Sequence, residues 1–320
     1  MEFAPSVYEH AAGLIGKTTW EVSRNPELLA AGHCRAFELY QHRPVVVGID
    51  IYNLEAEAYG AKVQKPSGSG IPAISSALFT STKELLSLKP LNPSTDGRIP
   101  MVIEAAKRIV QKYPNADVCI PLSGPFSIAA NLTGFANILS EVSTNPDLVC
   151  EALHLLVIGQ INFCRRIVNE GLDVAFFESA AAPPMLSPHH FRRVELAALK
   201  MVLRETASIT SHPVPCIIGG NTYPILDALL ETGTGYLICP YETDQRRFMD
   251  RIQGYPEIMV RINMDVRAIV SNNFAVVRRE LERICELAAG RKNVCIGTGA
   301  LPYEAEPEMV IRIKEYVSAK

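Results

Sequence analysis

At 320 residues, with 48% hydrophobic and 20% charged side chains and a mean hydropathy of +0.11, the chain has enough apolar material for one large core or two ordinary ones. A net charge of -3 and the lack of any basic run give no reason to expect nucleic acid as a partner. No stretch approaches about 18 uninterrupted apolar residues, so no membrane span is expected, and Met1-Glu2-Phe3 opens without the basic and apolar regions of a secretory signal.

The eight cysteines (34, 119, 150, 164, 216, 239, 285 and 295) are scattered, with no CxxC pair. In a chain this long that pattern suggests reduced thiols and a cytoplasmic setting. Residues 1–24 are mixed in character and are expected to wrap the outside of the fold. Asn25-Pro26 reads as an N-cap and first turn, opening a helix to about His42. Pro44 to Asp50 reads as a strand. Residues 64–100, rich in Pro, Ser, Gly and Lys, read as an irregular excursion with one short helix near Ser81–Leu88. Such a segment is consistent with a lid, a dimer contact or a surface insertion.

From Ile99 the chain alternates regularly. Helices are expected over 99–113, 127–142, 146–170, 188–208, 222–231, 244–253, 271–289 and 306–319. Strands are expected over 117–122, 173–178, 214–219, 235–240, 258–263 and 293–297. With 44–50 that makes seven strands, and an eighth is expected near 60–63 or inside the excursion. Strand–helix alternation implies a parallel sheet with helices outside. Seven or eight such units fit a single-domain (β/α)8 TIM barrel better than two open sheets. No GxGxxG follows the first strand, which disfavours a dinucleotide-binding sheet.

In a TIM barrel the functional groups stand at the C-terminal ends of the strands. Here those positions offer Asp50, Tyr52, Asn53, Ser123, Glu178, Asn221, Thr222, Cys239, Tyr241, Asn263, Asp265 and Thr298. They include no histidine and no cation. Glu178 ends the apolar run Ala-Phe-Phe, where a charge is costly to bury. It can be a general acid with a raised pKa, a metal ligand, or a carboxylate accepting backbone N–H bonds. Asp265 is a second catalytic candidate, although it and Asp50 could equally cap helices. Asp50, Tyr52, Asn53, Asn221, Thr222, Tyr241, Asn263 and Thr298 are candidate substrate contacts. Cys239 is either an inert buried thiol or, with Glu178, a metal ligand. His212 and Cys216 have a spacing that could suggest zinc, but His212 precedes its strand and so falls at the wrong end of a barrel.

Several motifs together resemble the uroporphyrinogen decarboxylase superfamily from about Asn25 to the C-terminus. They are Gly48-Ile-Asp-Ile-Tyr, Glu55-Ala-Glu-Ala-Tyr-Gly-Ala-Lys, Leu122-Ser-Gly-Pro-Phe and Phe177-Glu-Ser-Ala. Leu186-Ser-Pro-His-His-Phe, Gly219-Gly-Asn-Thr-Tyr-Pro-Ile-Leu, Asn263-Met-Asp and Gly297-Thr-Gly-Ala-Leu-Pro follow in order. The resemblance implies one (β/α)8 barrel with its cleft at the strand C-terminal face, and a possible homodimer. True decarboxylases of the superfamily carry an Arg-rich segment of the form Met-Arg-Gln-Ala-Gly-Arg, and nothing like it precedes Asp50.

The segment Asp50–Lys62 is instead similar to the corrinoid-dependent methyltransferases. These implied relatives move methyl groups between a small substrate and the cobalt of a corrinoid-binding protein. The methylcobalamin:coenzyme M members bind zinc through two motifs whose ligand positions correspond here to Ile217, Gly219 and Thr298. None of these can serve as such a ligand, so activation of a thiol by zinc is not expected. The resemblance therefore implies a corrinoid-dependent methyltransferase, best matched to O-demethylation of a methoxylated compound, with Tyr52, Asn221 and Asn263 orienting substrate. Glu178, or a metal held by Glu178 with Cys239 or Asp265, would assist the leaving oxygen. The alternatives are decarboxylation of a smaller acid and a non-catalytic assembly subunit.

Overall fold

The missing eighth strand is the first one in the chain. A computed structural model describes all 320 residues, and in it Glu2–Ser6 forms strand β1, paired in parallel with the last strand, β8 (Val294–Ala300). The segment expected to wrap the barrel is therefore part of its wall. Pro5 hides it in the sequence, because proline is depleted from strand interiors. The only strands in the excursion are the two-residue antiparallel pair Val63–Gln64 and Ala73–Ile74, which lie outside the barrel wall.

The other strands are β2 (Val45–Val46), β3 (Val118–Ser123), β4 (Asp173–Phe177), β5 (Cys216–Ile217), β6 (Tyr236–Cys239) and β7 (Met259–Met264). Two parallel half-sheets run β2-β3-β4-β5 and β1-β8-β7-β6. A parallel bridge between Pro215 and Tyr236 joins them at β5–β6. Helices between successive strands cover the outside, giving a (β/α)8 barrel.

Side chains alternate across each strand. In β4, Ala175 and Phe177 face the barrel interior with Ile217 and Ile238. Val174 and Phe176 face the outer helices. In β6, Ile238 points in while Leu237 and Cys239 point out. Both faces are apolar because both are covered, as is usual for parallel sheets.

The helix Pro146–Val168 is long and apolar enough to cross a bilayer by length and composition alone. Here it packs against the helix Leu196–Thr210 and the helix Pro125–Thr133, burying Leu153, Leu156, Val157, Phe163 and Ile167. The excursion folds back over the C-terminal face. Asn53 Nδ2 donates to the Pro72 carbonyl at 2.8 Å, and Thr19 Oγ1 donates to the Gly70 carbonyl. These bonds bring Ile71 and Pro72 to the barrel mouth.

Candidate active site

A cavity of about 400 Å³ opens at the strand C-terminal ends. Its walls are largely apolar: Ile49, Ile51, Ile71, Phe177, Ile217 and Ile238 line it. Tyr8 and Tyr52 meet the Phe177 ring edge-on, with centroids 6.1 and 6.2 Å away. Polar side chains stand among them, including Glu9, Asp50, Asn53, Glu242, Arg261 and Asn263, and such groups fix the orientation of a bound small molecule.

Four of the expected contacts line this cavity: Asp50, Tyr52, Asn53 and Asn263. The Tyr52 hydroxyl donates to Ser179 Oγ at 2.6 Å, and Ser179 Oγ accepts the Gly219 N–H at 2.8 Å. Burial raises the Tyr52 pKa above its ordinary value. Asp50 is held bidentately by Arg98, with Nη1 at 2.9 Å and Nη2 at 2.6 Å from its two oxygens. Arg98 also binds Glu57 through Nε at 2.5 Å. Asp50 is thereby a neutralised anchor for the mouth, and the cation that neutralises it comes from the end of the excursion.

Glu178 is not in the cavity. Continuing the alternation of β4, it points outward with Val174 and Phe176 and is completely buried. Its Oε1 accepts the Ser127 N–H at 2.8 Å and the Ser127 hydroxyl at 2.7 Å, and its Oε2 accepts the Phe126 N–H at 3.2 Å. These donors belong to the first turn of the helix Pro125–Thr133, where orphan N–H groups attract an anion. The catalytic and metal roles expected for Glu178 are therefore corrected to a structural one.

Cys239 also faces outward, fully buried, with Sγ 3.9 Å from the Gln245 carbonyl, and burial raises its thiol pKa. It shares no site with Glu178. Asp265 caps the helix Val266–Val270 by accepting the Arg267 N–H at 3.0 Å, and it pairs with Arg267 Nε at 3.0 Å. Burial alone would raise its pKa, but the Arg267 hydrogen bonds outweigh that and lower it. It and Tyr241 line a smaller recess of about 380 Å³ beside the main cavity. Thr298 Oγ1 accepts the Ser6 N–H at 3.1 Å and ties β8 to β1. Asn221 accepts a hydrogen bond from Thr243 at 3.1 Å, and Thr222 is fully buried. None of these last three residues lines the cavity.

The structure adds groups that the sequence reading passed over. Tyr8 and Glu9 line the cavity from the segment set aside as a wrap. Glu9 Oε2 is buried without a hydrogen-bond partner, and burial, helped by Glu304, lifts its pKa to about 6. Arg261 lies inside the barrel on β7 and is 4% exposed. A single arginine in the run Met-Val-Arg-Ile-Asn, two residues before Asn263 and so on the same strand face, was the signal that could have found it.

The cavity contains no thiol or imidazole. Ile217 and Gly219, two of the three positions that correspond to the zinc ligands, line its wall. Asp117, Cys119 and Asp173 bring potential ligand atoms within 4.8 Å of one another, and His212 Nε2 lies 3.1 Å from Asp173 Oδ2. That cluster sits at the N-terminal ends of β3 and β4, the opposite end of the barrel. A zinc bound through cysteine and histidine does not fit the cavity residues.

Behind β4, Glu178 meets a second buried carboxyl, Glu195, at the end of a π turn over Phe191–Glu195. Neither oxygen of Glu195 has a hydrogen-bond partner elsewhere in the protein. Burial and the facing Glu178 raise its pKa well above the ordinary value, and burial raises that of Glu178. Glu178, with three donors, is the member suited to the charge, and Glu195 holds the proton. The folded protein thus binds more protons than the unfolded chain above the usual carboxylate range. Stability must fall as pH rises through the interval between the unfolded and folded pKa values. Glu195→Gln keeps a donor beside Glu178 without a titrating proton. Thermal unfolding from pH 5 to 9 should show the wild type losing stability relative to the variant as pH rises, until the variant is ahead by on the order of 2 kcal/mol at pH 9. Parallel curves would reject the shared proton.

The fold and cavity define a TIM-barrel protein with a small-molecule site at its C-terminal face. The chain belongs to the uroporphyrinogen decarboxylase (URO-D) family, whose model matches residues 4–319. Its structure is similar to that of a methyltransferase from Methanosarcina mazei, with a TM-score of 0.85 and 20% sequence identity over 99% of this chain and 92% of that chain. At that identity the likeness shows a shared fold. No curated protein matches the sequence.

Proposed function

We propose that the chain is a methyltransferase that takes a methyl group from a small methoxylated substrate and delivers it to the cobalt of a corrinoid-binding protein. The observation that carries this reading is Glu9. It is the cavity carboxyl with a raised pKa and an unpartnered oxygen, whereas Asp50 is tied to Arg98. A carboxyl at the edge of an apolar pocket, its pKa raised toward neutrality, suits the protonation of a departing alkoxide or phenoxide. The absence of cysteine and histidine from the lining fits an oxygen leaving group better than a zinc-activated thiol. The structural likeness to the Methanosarcina mazei methyltransferase supports the same direction.

The corrinoid would supply the nucleophile that attacks the methyl carbon. The chain's own residues do the rest. Phe177, Tyr8 and the isoleucines hold the apolar body of the substrate and exclude water. Asn263 and Asn53 offer polar contacts. Glu9 donates its proton to the leaving oxygen, and Ile71 and Pro72 narrow the mouth.

The test is anaerobic and spectroscopic. Purified protein is mixed with cob(I)alamin, or with a reduced corrinoid protein, and with panels of methoxylated compounds, methylamines and methyl thiols. Formation of the methylcobalamin spectrum with the methoxylated panel is the expected result. Conversion of methyl thiols alone, or release of carbon dioxide from an acid without any corrinoid, would overturn it.

A further inference from the structure

Arg261 is a buried cation without an anion. It projects from β7 into the barrel, where its one hydrogen bond runs from Nε to Asn263 Oδ1 at 3.1 Å. No carboxylate of the chain pairs with it. Its terminal amino groups have no protein acceptor, and they open onto the cavity that Arg261 helps to line. This differs from Arg98, the other buried arginine of the mouth, whose guanidinium is filled by Asp50, Glu57 and the Ser23 carbonyl.

The fold makes room for Arg261. On β8, Gly297 faces its stem, and a Cβ at that position would stand 2.3 Å from Arg261 Cδ and 2.6 Å from Cγ. A glycine there lets the guanidinium stem lie flat against the neighbouring strand. Burial raises the Tyr8 hydroxyl to about 12, and the nearby Arg261 charge works against that rise, so Tyr8 and Arg261 share one region of the cavity. A buried guanidinium is costly unless an oxyanion satisfies it, and its planar fork matches a carboxylate bidentately.

We propose that Arg261 anchors a carboxylate of the substrate, so that the cavity takes a small monocarboxylic acid with an apolar, ring-sized body. Arg261 starts two residues before Asn263 on β7, but its stem runs past Gly297, the register partner of Asn263, so its guanidinium stands beside the Asn263 side chain. The carboxylate therefore sits on the β7 side of the cavity beside Asn263, the apolar body lies against Phe177, Ile217 and Ile238, and the opposite end of the molecule points away from β7. The proposal rests on the methyl-transfer reading only in placing a methoxy group at that opposite end.

Binding is measured without any corrinoid, so that the two readings fail separately. Calorimetry on the wild type compares a size-graded panel of acids, including benzoate and 4-methoxybenzoate, with their methyl esters and with anisole. The acids should bind about 30-fold or more tightly than the matched esters, a ratio in keeping with a bidentate charge-assisted pair. Arg261→Gln should abolish that preference and leave the weak ester binding in place. Arg261→Lys should restore only part of it, because an ammonium lacks the planar fork.

Equal binding of acids and esters by the wild type overturns the proposal, as does failure of every acid to bind. A folded Arg261→Gln protein that keeps the preference overturns it as well. If that variant does not fold, the acid-to-ester ratio of the wild type and of Arg261→Lys decides. Methyl transfer from neutral ethers with no gain from a carboxylate sinks this proposal and leaves the function standing. Arg261-dependent acid binding without methylcobalamin formation does the reverse.

Discussion

Glu9→Gln is expected to slow methyl transfer by about 10²–10⁴-fold, the range over which a positioned general acid contributes. Glutamine keeps the size of the side chain and cannot deliver a proton. The raised pKa of about 6 fixes the sign of the pH dependence. The protonated form is the active one, so the wild-type rate should fall as pH rises through about 6. In the variant that limb should vanish. The effect should also depend on the substrate: an ether of an acidic phenol needs little help in leaving, so its rate should drop far less than that of an alkyl methyl ether. Initial rates of methylcobalamin formation from pH 5 to 8, measured with both kinds of ether, check all three points. A variant that retains the wild-type rate and its alkaline limb would remove Glu9 from the chemistry.

Gly124→Ala is expected to be the most damaging small substitution in the barrel wall. A Cβ at Gly124 would lie 1.6 Å from Glu178 Oε2, 2.3 Å from its Cδ and 2.8 Å from its Cβ. The backbone is no obstacle, since φ at Gly124 is -71°, a value any residue adopts. The clash alone decides the outcome. Glu178 cannot swing away without abandoning the donors of Ser127 and Phe126 in a buried site. The loss should be about 3 kcal/mol or more, combining overpacking with unsatisfied buried polar groups. For a chain of this size that is a fall in Tm of roughly 5 °C or more. Combining Gly124→Ala with Glu178→Ala should cost clearly less than the sum of the two single changes, because the second removes the atoms that the first strikes. Additive losses in denaturant or thermal unfolding would show that the two residues do not share the site.

The contrast between Glu178 and Glu9 shows where sequence reasoning held and where it failed. Glu178 was conspicuous because a carboxylate closes an apolar strand, and it is indeed a buried carboxyl with a raised pKa. The side of the wall that it faces was not legible. Parallel strands covered on both sides are apolar on both sides, so Val-Ala-Phe-Phe carries no mark of inside or outside. One residue of register separates Phe177 in the cavity from Glu178 behind it. Cys239 failed for the same reason, one step beyond Ile238. Glu9 and Tyr8 were lost because a strand of five residues containing proline did not read as a strand.

The order of strands and helices, the barrel class and the strand ends that approach the mouth follow from the sequence alone, because apolar periodicity and capping residues are local. Local chemistry also placed Asp50, Tyr52, Asn53 and Asn263 at that mouth. Closure of the barrel by Glu2–Ser6, the outward turn of Glu178 and Cys239, and the meeting of Glu9 with Arg261 in one cavity were decided only by the tertiary structure. Each depends on groups far apart in the chain, brought together by a strand register that a two-sided apolar pattern leaves undetermined.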